Sequence, residues 1–138
     1  MNAVKSCAIF VFYALHIYRL SGYWYALTMW WSQVGEVVLR PVKSYADIAK
    51  ALDGGKRWRE DPLGGLFDSL YHPSRIQLNI DMNEPIGDCD DHAVYWCAML
   101  LRSGLARRAW LAFYQYRRSD GVVGGHVVCV FESTDPGP

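Results

Sequence analysis

The part of the chain from residue 89 onward carries the pattern that most constrains the fold. Apolar residues recur after Cys89 at the spacing of one helix face, at Ala93, Trp96, Cys97, Leu100 and Leu101. Gly104 then suits the position just after a helix end. Two apolar runs, 109–116 and 125–131, flank a polar turn at 117–124 and predict a hairpin. A helix followed by an antiparallel hairpin indicates an α+β fold.

The predicted helix begins with a polar run, Gly87-Asp88-Cys89-Asp90-Asp91. Unpaired backbone N–H groups and the helix dipole favour negative charge at this position, and they lower the pKa of a thiol placed there. The aspartates oppose this effect by like-charge repulsion, which a facing imidazolium would offset. Gly87 lets other backbone approach closely, as a substrate-binding turn requires. The structural alternative is an ordinary cysteine at a helix start that is capped by Asp88.

His126 is the candidate partner of Cys89, because it begins the second strand of the hairpin. The preceding Gly124 and Gly125 leave open space in front of its ring. A histidine on a separate element can accept the thiol proton and complete a Cys–His pair. His92 is the alternative partner, but it lies on the same helical face as Cys89 and is poorly aimed for catalysis. A surface role for His126 is the structural alternative.

A metal site is the other function that these side chains suggest. Cys89, His92 and His126 are zinc-ligand types, and Asp90 or Asp91 offers an oxygen. Structural zinc sites carry paired ligands on a tight loop, a pattern that this sequence lacks. We therefore expect no metal and no cofactor.

Composition narrows the function class and the compartment. The 138 residues are enough for one domain with a hydrophobic core, and 14 basic residues balance 14 acidic ones. The chain therefore has no excess of positive charge that would attract nucleic acid. The four cysteines form no C-x-x-C pair, so we expect reduced thiols in a cytoplasmic setting. Cys97 and Cys129 fit small buried hydrophobic residues.

The first part of the chain is predicted to be an aromatic-rich helical segment, residues 1–42, ahead of a core at 43–138. Helices are expected at 4–20 and 22–39, and the second is ended by Pro41. Residues 7–31 are very apolar, but Arg19 interrupts them, which argues against a membrane span. So much aromatic surface favours packing on the core or docking onto a protein partner.

Between this segment and Cys89, a short helix is predicted from Ser44 to Leu52. Asp47 lies three residues after the capping Ser44, and Gly54-Gly55 ends the segment. A polar, glycine-rich loop follows at 53–65. A second short helix is expected at 66–71, before Pro73, and residues 74–88 are read as an irregular lead-in to the cysteine.

These motifs resemble one known superfamily. The run from Gly87 to Ala93, a helix ending at Gly104, and Gly125-His126-Val127-Val128 on a following strand are similar to the transglutaminase-like cysteine proteinase superfamily, in its bacterial and phage members. The stretch 61–65 also looks like the lead-in of such proteins. The resemblance covers roughly residues 58–132 and leaves the first fifty residues unexplained.

The resemblance implies a papain-like core, in which a helix with the nucleophile at its N-terminus packs on a small antiparallel sheet. Carried over, Cys89 is the nucleophile and His126 the general base and acid. The family's third residue usually lies on the strand after the histidine strand, and here only Glu132 and Asp135 follow. Asp135 is the candidate for that role. The alternatives are a core that continues beyond Pro138 or a dyad without a third residue.

The oxyanion hole and substrate contacts also follow from the resemblance. The backbone N–H of Cys89, together with an upstream amide side chain, would bind the oxyanion. Asn83 is the candidate amide, with Gln77 and Asn79 as rivals. Substrate-binding positions are then assigned to the backbone turns on either side of the pair, at Gly87, Asp88 and Gly125.

Two functions of different classes result. The first is a cysteine-dependent acyl-transfer hydrolase, a peptidase or amidase acting on a peptide or amide substrate. The alternative is a catalytically silent transglutaminase-like domain that serves as a structural or binding module, for example in a phage particle. The corresponding location is the cytoplasm, or the host cytoplasm or virion for a phage protein.

Overall fold

The computed structural model describes residues 21–53, 56–59 and 70–135. These residues form four helices and one two-stranded sheet. The elements in chain order are α1 (Ser21–Trp31), α2 (Tyr45–Leu52), α3 (Pro73–Asp81), α4 (Cys89–Arg102), β1 (Ala106–Arg117) and β2 (Val123–Ser133). The expected α+β class is confirmed. The helix predicted at 4–20, the 61–65 lead-in and most of the helix predicted at 66–71 lie outside the described residues.

The hairpin is the framework on which α4 packs. β1 and β2 pair antiparallel, with Leu111 opposite Cys129 and Tyr114 opposite His126. Both strands extend beyond the predicted 109–116 and 125–131, because pairing continues through the flanking polar residues. α4 contacts both strands and, on its other side, α2 and α3.

The predicted helix at Cys89 is confirmed, but its buried face is wider than the apolar spacing indicates. Leu101, predicted to be buried, is 47% exposed, whereas Tyr95 and Met99 are each 1% exposed. The reason is that α4 is covered from two sides, by the hairpin and by the other helices. Gly104 has φ +70, and the N–H of Leu105 donates to the carbonyl of Leu100 at 3.0 Å. This is the glycine-terminated helix end that was predicted.

Helix α2 begins as its sequence predicts. The Ser44 side chain accepts from the Asp47 N–H, and the Asp47 carboxylate accepts from the Ser44 N–H at 3.0 Å, which is a capping box. The Ser44 hydroxyl also donates to the Asp47 carboxylate at 3.0 Å, and this bond, with those from the Lys43 and Ser44 N–H groups, holds the pKa of Asp47 below its usual value. The residue that takes the left-handed conformation at the helix end is Asp53, with φ +49. Gly54 and Gly55, predicted to end this segment, lie outside the described residues.

The helix predicted at 22–39 ends early, at Trp31. The hydroxyl of Ser32 accepts a 2.7 Å hydrogen bond from the His72 N–H and donates to the Met29 carbonyl. The Val34 N–H donates to the Ser74 hydroxyl at 3.0 Å. Hydrogen bonds from residues 32–34 to the start of α3 therefore take the place of further hydrogen bonds within the helix. They hold residues 32–34 against the core. In the described part of the chain, no helix combines the length and apolar character needed to cross a membrane.

The irregular lead-in predicted at 74–88 is wrong, because its first half is helix α3. Pro73 occupies the first helical position, where its missing N–H costs nothing. His72 caps the helix, since its Nδ1 accepts from the Ser74 N–H at 3.1 Å. A histidine is an uncommon cap, and for this reason the sequence did not signal the helix start.

The His72 cap makes stability depend on pH. Burial lowers the pKa of His72 in the folded protein. The unfolded chain therefore binds the proton first, and we expect the free energy of unfolding to fall as the pH drops below about 6.5. His72→Asn keeps a side-chain acceptor that cannot be protonated in this range, so it should flatten this part of the profile. Urea unfolding between pH 5 and 8 measures the free energy of unfolding of the wild-type protein and of the variant. The same pH dependence in the two proteins would contradict the role of His72.

Candidate active site

A short stretch of chain, residues 57–59, runs beside residues 86–87 at the start of α4. The Ile86 N–H donates to the Arg57 carbonyl at 2.9 Å, and the Arg59 N–H donates to the Gly87 carbonyl at 2.8 Å. This pairing sets Trp58 over the first turn of α4, where its ring lies 5.6 Å from the ring of His92. Trp58 was missed by sequence reasoning, because no local signal pairs the glycine-rich loop with the cysteine motif.

Gly87 is fixed by its contact with the next helical turn. It has φ +135, and a Cβ at this position would overlap the Asp91 carboxylate. Asp91 is fully buried, and its Oδ1 accepts a 2.7 Å hydrogen bond from the Tyr71 N–H. The Asp91 carboxylate thus occupies the space that a side chain at position 87 would need. Gly87 does not line the cleft described below.

Three carboxylates surround the start of α4. Asp88 is the N-cap residue, but its side chain makes no capping hydrogen bond. Asp90 Oδ1 accepts from the Asp91 N–H at 2.8 Å. Oxygens of Asp88, Asp90 and Asp91 lie within 4.8 Å of one another, and in the described chain these are the side chains that could hold a cation. The set considered for zinc, with Cys89 and two histidines, does not form such a group among the described residues.

A cleft of about 480 Å³ lies between the start of α4 and β2. Its walls are mostly apolar, with the aromatic side chains Trp58, Trp96 and Phe131. Val127 and Val128 both line it, although neighbouring residues of a strand point to opposite faces. The cleft therefore runs along the edge of β2 that β1 does not cover.

The cleft brings Cys89 and His126 to one place. Cys89 is the first residue of α4 and is partly exposed, and His126 lies near the start of β2. The ring of His126 contacts Tyr114, its partner across the hairpin, edge-on at 5.5 Å. The two residues that the sequence singled out thus line the same cleft, whereas Gly125 and Asp88 are not among the residues that line it.

His92 is the second imidazole in this cleft. Its Nδ1 lies 2.7 Å from the Asp88 carbonyl oxygen, which can only accept, so Nδ1 carries the proton. Its Nε2 is buried and makes no hydrogen bond to any of the described residues. The ring is thus tied to the N-terminal turn of its own helix and covered by Trp58.

The upstream amides do not reach the cleft. Gln77 accepts from the Tyr95 hydroxyl at 2.8 Å and donates to Asp81 at 2.9 Å. Asn79 donates to the Pro85 carbonyl at 3.0 Å. Asn83 is exposed, with φ +59, in the turn after α3. None of these three lines the cleft, so the structure does not bring the candidate amide side chains to Cys89.

Asp135 is far from His126. Its N–H donates to the Ser133 hydroxyl at 3.0 Å, just beyond the end of β2. The strand rises about 3.3 Å per residue, so Ser133 lies roughly 23 Å from His126 along β2. Glu132, the other acidic residue after His126, is paired with Arg108 at 2.9 Å. The structure brings neither carboxylate to the imidazole.

The cleft thus combines a thiol at a helix N-terminus with two imidazoles and mostly apolar walls. Comparisons with protein-family models, with curated proteins and with solved structures found no match to this chain.

Proposed function

We propose that this chain is a cysteine-dependent acyl-transfer hydrolase with a transglutaminase-like core. Cys89 is the nucleophile and His126 the general base and acid. The observation that supports this proposal is that both residues line one cleft, although they come from different elements. The substrate class is a peptide or amide, and no cofactor is required.

The proposed reaction has two steps. His126 takes the thiol proton, and the Cys89 sulfur attacks the substrate carbonyl carbon. The negative oxygen that forms is bound by backbone N–H groups at the start of α4. The protonated His126 gives its proton to the leaving amine, which leaves a thioester on Cys89. His126 then deprotonates a water that attacks the thioester and releases a carboxylic acid and the free thiol.

The apolar walls of the cleft favour the binding of a substrate with apolar side chains. Trp58, Trp96 and Phe131 offer aromatic surface beside the proposed nucleophile. The edge of β2 that β1 leaves uncovered has backbone donors and acceptors along the same cleft. An extended peptide is suited to both features, because its backbone can pair with a strand edge while its side chains fill pockets.

A second candidate function is a catalytically silent domain that binds another protein. Two exposed tryptophans at the end of α1 favour it, since Trp30 is 66% and Trp31 80% exposed. Such surfaces are typical of protein contacts. The position of Asp135 also favours it, because no acidic residue among those described orients His126.

Acetylation by an aryl acetate ester distinguishes the two functions. On the proposed function, intact-protein mass spectrometry shows one acetyl group per chain, peptide mapping assigns it to Cys89, and phenol is released over many turnovers. Cys89→Ser should lose this turnover by about 10³-fold or more, while keeping the fold because serine suits a helix start. Equal acetylation of Cys97 and Cys129, or unchanged turnover in Cys89→Ser, would contradict the enzyme and leave the binding module.

A further inference from the structure

A second pair of cysteines lies in the wall of the cleft. Cys97 on α4 and Cys129 on β2 face each other, with their sulfur atoms 2.7 Å apart. A disulfide bond brings two sulfurs to about 2.05 Å, so little movement separates this contact from a bond. The sequence predicted two unrelated buried thiols, because residues so far apart in the chain carry no local sign of pairing.

The two thiols differ in access and in ionisation. Cys97 is 8% exposed, whereas Cys129 is half-buried and lines the cleft, where solutes can reach it. The Cys97 thiol donates a hydrogen bond to the Cys129 sulfur, which lowers the pKa of Cys129 and raises that of Cys97. Cys129 is therefore the more accessible and the more readily ionised thiol of the pair, so it meets an oxidant first, and Cys97 is placed behind it to resolve the product.

We infer that Cys97 and Cys129 are a disulfide-forming site that responds to peroxide. The Cys129 sulfur attacks one peroxide oxygen, the O–O bond breaks, and a sulfenic acid and water result. The Cys97 sulfur then attacks the sulfenic sulfur and releases a second water. Two thiols and one hydrogen peroxide thus become one disulfide and two waters. An added dithiol reduces this disulfide back to the two thiols and is itself oxidised to a disulfide. This inference goes beyond the proposed function and does not depend on it.

The bond would fix the geometry of the cleft. Cys97 lies on the helix that begins at Cys89, and Cys129 is three residues after His126 on β2. A disulfide between them joins these two elements and closes a loop that contains the whole hairpin turn. Because it restricts the unfolded chain, it should raise Tm by roughly 10 °C.

The test uses the full chain with Cys7→Ser and Cys89→Ser, so that Cys97 and Cys129 are its remaining cysteines. Treatment with hydrogen peroxide should remove two hydrogen atoms, give a Cys97–Cys129 crosslink in a non-reducing peptide map, and raise Tm, all reversed by dithiothreitol. Adding Cys97→Ser should instead leave a sulfenic acid on Cys129 that dimedone captures. Adding Cys129→Ser should slow oxidation of the remaining thiol.

Other outcomes would overturn the inference. Crosslinks between two chains, peroxide-resistant thiols, or oxidation of each cysteine to sulfinic acid without a crosslink would show that the pair does not form the bond. A crosslink that forms without any rise in Tm would contradict the stabilising role inferred for the bond.

Discussion

Replacing Gly87 with alanine should destabilise the protein by about 3–5 kcal/mol, a large loss for one methyl group. The backbone at Gly87 has φ +135, a conformation that L-residues rarely adopt. The added Cβ would also overlap the carboxylate of Asp91. Asp91 cannot move without cost, because it is fully buried and holds the Tyr71 N–H. The loss of stability therefore has two contributions, the backbone strain at residue 87 and the loss of the buried hydrogen bond between Tyr71 and Asp91.

Gly104→Ala is the matched control, because it also places alanine at a positive φ. Gly104 has φ +70, and a Cβ there meets no atom within 4 Å in the part of the chain that the structure describes. We expect it to cost only about 1 kcal/mol, the ordinary penalty of alanine in the left-handed region. Urea unfolding of both variants measures the difference. Similar losses for the two would show that the contact with Asp91 is unimportant.

At pH 6, we expect His126→Gln to slow alkylation of Cys89 by about tenfold to a hundredfold. Asp88, Asp90 and Asp91 lie around the start of α4, and their negative charge disfavours a thiolate. A protonated His126 in the same cleft would offset them and keep the sulfur reactive. Glutamine fills similar space without the charge, so the thiol should become an ordinary one.

His92→Gln is the control for this variant, since His92 lines the same cleft but is tied to the Asp88 carbonyl. We expect a clearly smaller effect than that of His126→Gln. The measurement is the rate of iodoacetamide labelling of Cys89, followed by peptide mapping. A larger effect of His92→Gln would make His92 the proton acceptor and contradict the role assigned to His126.

Features with local signals were predictable from the sequence. The capping box of Ser44 and Asp47, the glycine that ends α4, and the hairpin each depend on residues close in the chain. One failure had a long-range cause and the other a local one. α1 ends at Trp31 because Ser32 bonds to His72, and α3 was missed because its cap is a histidine.

The candidate site likewise contains features with a local sequence signal and features that depend on long-range contacts. Cys89 and His126 could be singled out from the sequence because Cys89 begins α4 and His126 lies near the start of β2. Trp58 and the contact between Cys97 and Cys129 were not, because they depend on how distant segments meet. The distance of Asp135 from His126 follows from the length of β2, which pairs as far as Ser133 rather than ending at Phe131.

The measurement that tests the central claim most directly is mass-spectrometric mapping of iodoacetamide labelling on the native protein from pH 5 to 9. If Cys89 is the activated nucleophile of the cleft, it should label far faster than Cys97 and Cys129 at pH 6. Its apparent pKa should lie well below the value of about 8.5 for a free thiol. Slow and equal labelling of all three cysteines, rising only above pH 8, would contradict the enzyme and support the silent binding module.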